Sequence, residues 1–316
     1  MINWPENKKF AFTVVDDTDC ATLKNVPVLY DFLNECGLKT TKSVWIFDGE
    51  KRTDNANIIG ASCEDKAYLK WLQNLNSQGF EIALHSSSWS SSNRERVKNA
   101  FKFFYEYFGH NPDILVQHCD NKDCEAIYWG ENRVSSLIKL FYKFILRMEG
   151  KRRNIYLGED KESEYFWGDI CNEKIKYVRN FVFNEINTLK ACPYMPYHDS
   201  KRPYVNFWFA STEAPDIDSF NKCLAKENQD KLERQGGACI IYTHFGNGFV
   251  QNGKLNSRFK MLIENLSQKN GWFVPATKIL DFINDNKTNP KKNISNLERT
   301  ILELRWLKHK LKIGTS

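Results

Sequence analysis

The chain of 316 residues lacks any run of about eighteen apolar residues, the length a membrane-spanning helix needs, so no segment is expected to cross a bilayer. Its start, Met1-Ile2-Asn3-Trp4-Pro5, has no basic stretch leading into an apolar core. It therefore does not read as a secretory signal, and the expected compartment is the cytoplasm. Cysteine is present nine times, at 20, 36, 63, 119, 124, 171, 192, 223 and 239, but never in paired short spacings. An odd, scattered set suggests neither a disulfide framework nor a four-thiolate zinc site, and reads as reduced and mostly buried thiols. The net charge of +6 is modest and no recurring nucleic-acid motif accompanies it, so nucleic acid is not expected as a partner. Histidine is scarce, with six in the whole chain.

What the chain does have is 41% hydrophobic and 27% charged residues, enough to bury a sizeable core. Strand and helix signals alternate, which points to an α/β architecture with parallel strands. Phe10-Ala11-Phe12-Thr13-Val14-Val15 reads as a buried strand that stops at Asp16-Asp17. Helical spacing follows over 26–36, 64–78 and 92–107, each stretch ending at or near a glycine (Gly37, Gly79, Gly109). Between and after these lie strand signals at 43–47, 80–84, 114–117 and 238–243. Three of them run into a histidine: His85, His118 and His244. A lone histidine after a strand is more often a hydrogen-bonded turn residue than a ligand. Here half of the histidines share that place, and in a closed parallel barrel the strand C-termini converge on one site.

At these residues the sequence resembles the polysaccharide deacetylases of the NodB type. Val15-Asp16-Asp17 is similar to their first motif, an apolar strand ending in paired aspartates. Leu84-His85-Ser86-Ser87-Ser88 resembles the start of their second, and Ile241-Tyr242-Thr243-His244 their late Leu-x-His motif. The order and separation match over residues 8–284, with a divergent middle. The resemblance implies a distorted parallel (β/α) barrel over 1–284. It implies Asp16 as general base, Asp17 and His85 as ligands of a divalent metal, and His244 as general acid. Hydrolysing an amide needs an activated water, a Lewis acid and an acid for the leaving amine, and this set supplies all three. The family's second histidine falls on Trp89, which cannot ligate a metal and would instead support a ligand or contact substrate. His118 is the natural substitute, since it too ends a strand and an imidazole suits zinc, with cobalt, nickel or iron as alternatives; otherwise it contacts substrate or is structural. Asp19 either orients a ligand or caps the following helix. Arg179 corresponds loosely to the family arginine that pairs with the catalytic aspartate, or else forms a surface salt bridge.

The activity this implies is removal of an N-acyl group, acetyl or formyl, from an amino sugar during surface-polysaccharide or glycolipid assembly. The substrate would be nucleotide- or lipid-linked. The alternative is a non-catalytic carbohydrate-binding protein that keeps the barrel and has lost its metal, for which Trp89 speaks. The aromatics between Tyr165 and Phe209 suit sugar stacking but are read chiefly as core. Gly246-Asn247-Gly248 gives the chain after His244 freedom for a tight loop.

Two basic amphipathic segments complete the chain. Residues 131–153 place Val134, Leu137, Ile138, Phe141 and Ile145 on one face, with Lys139, Lys143, Arg147, Lys151, Arg152 and Arg153 nearby. After a polar linker, the unit 285–316 opens with Ser295-Asn296-Leu297-Glu298, which fits a capping box. Leu297, Ile301, Leu304, Leu307 and Leu311 form its stripe. Either stripe docks on the barrel, forms a homo-oligomer, or lies on the inner face of a membrane.

Overall fold

The structure, a computed structural model, describes residues 2–49, 59–118, 123–148, 155–289 and 293–313. Cys119 and the Lys151-Arg152-Arg153 run lie outside the described residues, as do the side chains of Leu137 and Ile145. Seven parallel strands close into a barrel: β1 (Phe10–Asp16), β2 (Thr41–Val44), β3 (Glu81–Leu84), β4 (Ile114–Leu115), β5 (Tyr177–Phe183), β6 (Phe207–Glu213) and β7 (Ala238–Thr243). β7 pairs back onto β1 from Ala11↔Ala238 to Asp16↔Thr243. The other edge of β1 is shared: β8 (Gly271–Phe273) covers its first half and β2 its last residues. Every residue of β1 is buried, as a parallel strand packed on both faces must be.

Helices cover the outside, and local chemistry fixes their ends. Asp65 caps Lys66–Ser77 by accepting from the Ala67 and Tyr68 amides, and Asn93 caps Arg94–Phe108 by accepting from Arg96. Gly109 stops the latter with φ of +79°, a conformation that costs a side-chain-bearing residue.

Four barrel strands differ from expectation. β2 starts earlier and ends at Val44, because the Ile46 and Phe47 amides both turn to the Ser87 carbonyl (3.1 and 3.0 Å). β4 is two residues long, although the Val116 amide still reaches the Leu84 carbonyl at 2.9 Å. β5 lies within the aromatic-rich segment and β6 begins at its end; burial on both faces removes the period of two, and in β5 Arg179 and Asn180 interrupt the apolar run. The aromatics there are mainly core: Trp167, Tyr177, Phe181, Phe183, Trp208 and Phe209 are buried.

The C-terminal helix, Asn296–Ile313, docks on the barrel. Its capping box forms, with the Ser295 amide donating to Glu298 (2.8 Å) and the Glu298 amide to Ser295 Oγ (3.2 Å). The buried face carries Leu302, Trp306 and Leu307, and Trp306 packs against Phe181 (5.5 Å between ring centroids). The docking face is thus rotated from the expected stripe, of which Leu307 alone is buried. Polar anchors decide the rotation. Asp199 accepts from Arg299 Nε (2.9 Å) and from Arg202, and Glu213 accepts from His309 Nε2 (2.6 Å) and Lys310 (3.2 Å).

Burial pushes both carboxyls up, but Arg299 and Arg202 beside Asp199, and His309 and Lys310 beside Glu213, hold them below the ordinary range. A depressed carboxylate contributes stability above its ordinary pKa, about 4, and loses it as pH falls through the folded value. Acidification below about pH 4 is therefore expected to release Asn296–Ile313. Hydrogen exchange of that helix against pH reads the release, and Asp199→Asn should flatten the response.

Candidate metal centre

Asp16 and Asp17 are adjacent at the end of β1, so they project to opposite faces of the sheet and meet different partners. Asp16 accepts from the Tyr30 hydroxyl (2.8 Å) and the Phe245 amide (2.7 Å) and faces Lys42 Nζ at 3.1 Å. Lys42 and Asp16 are both fully buried. Burial raises the Asp16 pKa, with Lys42, Phe245 and Tyr30 opposing the rise. The expected position of Asp16 as a base in the cleft is therefore corrected. Its carboxylate is sealed into the wall, where it ties β1 to the residue that follows His244.

Asp17 accepts two hydrogen bonds of 2.7 Å from Arg179, whose guanidinium lies 4.3 Å from the Tyr242 ring centroid. The pair is buried, so the surface salt bridge considered for Arg179 is also corrected.

Asp19 is the carboxylate that stands among the imidazoles. Its Oδ2 is 3.5 Å from His85 Nε2 and 3.2 Å from His244 Nε2, and its Oδ1 is 3.5 Å from His118 Nδ1. Asp19, His85 and His118 are buried and offer ligand atoms within 4.8 Å of one another; Asp17, Asp19 and His244 form a second such group. Burial pushes the Asp19 carboxyl up, but contacts with His244 and His85, and the charge of His85 and His118, hold it well below the usual range. Burial pushes His244 down, yet Asp19, Asp17 and the Pro215 carbonyl raise it to about 9.

These residues fit a divalent metal. Neither nitrogen of the buried His85 ring has a hydrogen-bond partner among the described residues, and nor does Asp19 Oδ1. Buried polar groups left this way are costly unless something pairs with them. Two imidazoles and a carboxylate are the donor types that zinc and its neighbours accept.

Local backbone supports the convergence. Asp19 and His85 are each followed by a residue with positive φ, Cys20 at +61° and Ser86 at +54°, a strained region for side-chain-bearing residues. Ser86 Oγ accepts from the His118 amide at 3.0 Å, linking the two imidazole-bearing loops. A Cβ on Gly246 would sit 2.4 Å from the Cys20 carbonyl carbon, so the loop after His244 packs directly on the turn after Asp19. Asn25 bridges that seam by donating to the Cys20 carbonyl (2.8 Å) and the Gly246 carbonyl (3.2 Å). Trp89 packs on Trp45, which also contacts His85 and His118, with centroids 5.4 to 5.6 Å apart. An indole wall thus lies beside the imidazoles, and His118 joins them from the segment after β4.

The structure therefore brings together Asp17, Asp19, His85, His118, His244 and Arg179, and leaves Asp16 out. Asp19, expected to orient a ligand or cap a helix, instead stands at the centre of the imidazoles.

No family model and no curated protein matches the chain. Solved structures do. A Mycobacterium smegmatis protein assigned as a polysaccharide deacetylase aligns with TM-score 0.56 and 10% identity, over 93% of this chain and 96% of the other. PuuE allantoinase aligns with TM-score 0.53 and 12% identity, over 92% and 94%. A Pseudomonas aeruginosa PAO1 protein, also assigned as a polysaccharide deacetylase, gives TM-score 0.52 and 11% identity, over 92% and 95%. Across a wide divergence in sequence, the fold of this chain is the one that these polysaccharide deacetylases and this allantoinase share.

Proposed function

We propose that the chain is a metal-dependent amidohydrolase that removes an acetyl or formyl group from the nitrogen of an amino sugar, nucleotide- or lipid-linked, in surface-polysaccharide or glycolipid assembly. The observation that carries the reading is the convergence of Asp19, His85 and His118 beside the Asp17–Arg179 pair and His244. Asp19, His85 and His118 would hold the ion, zinc being the first expectation. A bound divalent ion supplies Lewis acidity toward the acyl oxygen and a more acidic water. The other roles fall to this chain's own groups. Asp17, clamped by both arms of Arg179, is held in one orientation to take a proton from the attacking water. His244 lies 2.8 Å from the Pro215 carbonyl through Nδ1, which leaves Nε2 facing the site to deliver a proton to the departing amine.

The names borne by the fold relatives favour the sugar substrate, and allantoinase among them makes allantoin the control. The test is release of acetate or formate from acylated amino sugars by metal-loaded protein, with His85→Ala alongside. Acid release by the wild type and none by the variant supports the reading. Protein that takes up neither zinc, cobalt, nickel nor iron would move the assignment to a carbohydrate-binding barrel, for which Trp89 is the supporting residue.

Arg179→Lys separates the base from the metal. Lysine keeps the charge but loses the two-armed geometry that fixes Asp17. Turnover is expected to fall by about 100-fold, the low end of what positioned proton transfer contributes. Metal content should stay unchanged, and elemental analysis beside the rate measurement checks the split.

A further inference from the structure

Two helices outside the barrel, Ser136–Met148 and Asn296–Ile313, lie against each other through Tyr142 and Trp306, whose ring centroids are 5.1 Å apart. Each turns one face inward and leaves an apolar face uncovered. On the first, Leu140, Phe141 and Phe144 are 66%, 50% and 59% exposed. On the second, Leu297, Ile301, Leu304 and Leu311 are 71%, 42%, 52% and 56% exposed. These seven are more than half of the twelve strongly exposed large apolar side chains among the described residues, so the exposure is concentrated and not scattered as on an ordinary surface.

The exposed charge on the same two helices is mainly basic. Ser136–Met148 contains no acidic residue. In Asn296–Ile313, Glu303 is fully buried and Glu298 is held in the capping box. Arg147, Arg305, Lys308 and Lys312 are exposed, and Lys139 and Lys143 flank the apolar residues while pairing with Glu131 at 3.3 and 3.4 Å. Among the described residues, Glu185 is the one carboxylate lining the groove that holds Arg305, Lys308 and Lys312.

We infer that this two-helix face docks in the headgroup plane of an anionic lipid bilayer. Exposed leucine and phenylalanine beside cations suit the boundary between headgroups and acyl chains, where long basic side chains bury their stems and keep their charge in water. Charge selects lipid over a second copy of the chain. A two-fold contact would set the same basic face against itself, whereas anionic headgroups neutralise it. No described helix is long and apolar enough to cross a membrane, so the contact is made in the plane of the surface. The inference stands apart from the hydrolase reading, because no residue of the metal centre takes part.

Co-sedimentation of the full chain with vesicles tests it, comparing phosphatidylcholine alone with phosphatidylcholine containing phosphatidylglycerol, at low and high salt. Binding should require the anionic lipid and weaken with salt. The double variants Lys308→Glu/Lys312→Glu and Phe141→Ser/Phe144→Ser should each weaken it by about tenfold or more. All four side chains are exposed, so unchanged melting curves will show that the fold is kept. His85→Ala should bind vesicles as the wild type does, which separates this outcome from failure of the metal site. Absence of binding to anionic vesicles, or binding indifferent to both variants, overturns the inference. A concentration-dependent dimer dissolved by Phe141→Ser/Phe144→Ser also overturns it, and assigns the face to a second copy.

Discussion

Asp19→Ala should strip the protein of its metal and of its hydrolytic activity together. Asp19 is the carboxylate that touches His85, His118 and His244, at 3.2 to 3.5 Å, and it supplies the negative charge of the three-residue group. Without it two buried imidazoles face each other with no anionic partner, and a dication held by two neutral nitrogens is bound weakly. Metal affinity should fall by more than about 100-fold, the most that losing an outer partner of a ligand usually costs. Titration calorimetry with zinc measures the affinity, and release of acetate or formate measures the activity. Asp17→Ala should differ, lowering turnover while most of the metal stays, because both Asp17 oxygens are committed to Arg179. Equal metal retention by the Asp19 variant and the wild type would return the ligand role to Asp17.

The second large effect is on stability. In Asp16→Ala, Lys42 becomes a fully buried cation without its partner, and the Phe245 amide and Tyr30 hydroxyl lose their acceptor. Breaking a buried ion pair from one side costs about 3–5 kcal/mol. Removing both charges is much milder, so the double variant Asp16→Ala/Lys42→Met should recover a substantial part of the loss. Denaturant unfolding of the four proteins gives the coupling directly. A single variant within about 0.5 kcal/mol of the wild type, as expected of a solvated surface residue, would contradict the sealed position of Asp16.

The contrast between these two aspartates shows what was legible in the sequence. The barrel was readable because apolar runs stopping at Asp16, His85, His118 and His244 repeat one strand-end pattern. His118 was readable as a candidate because it shares that place, and its loop is tied to that of His85 through Ser86. The motif itself left the register of the acidic cluster open. Three acids in Asp16-Asp17-Thr18-Asp19 can each present an oxygen, and the pleat of β1 together with the turn at Cys20 decides which one reaches the imidazoles. The mate of Asp16 was equally hidden, since Lys42 sits inside a short strand with nothing nearby to mark it as buried. Strands β5 and β6 escaped for a related reason. Their burial on both faces leaves no alternation to read, and a buried Arg179 looks like a surface residue until its partner is known. The C-terminal helix followed the same rule: its apolar stripe was visible, but Asp199 and Glu213 on the barrel decide which face turns inward.

Elemental analysis of protein purified without chelators, as wild type and as Asp19→Ala and His118→Ala, tests the central claim most directly. The account predicts near-equimolar zinc, cobalt, nickel or iron in the wild type and its loss in both variants, with each variant still folded. Metal that stays in both variants, or a wild type that binds none after reloading, would contradict it.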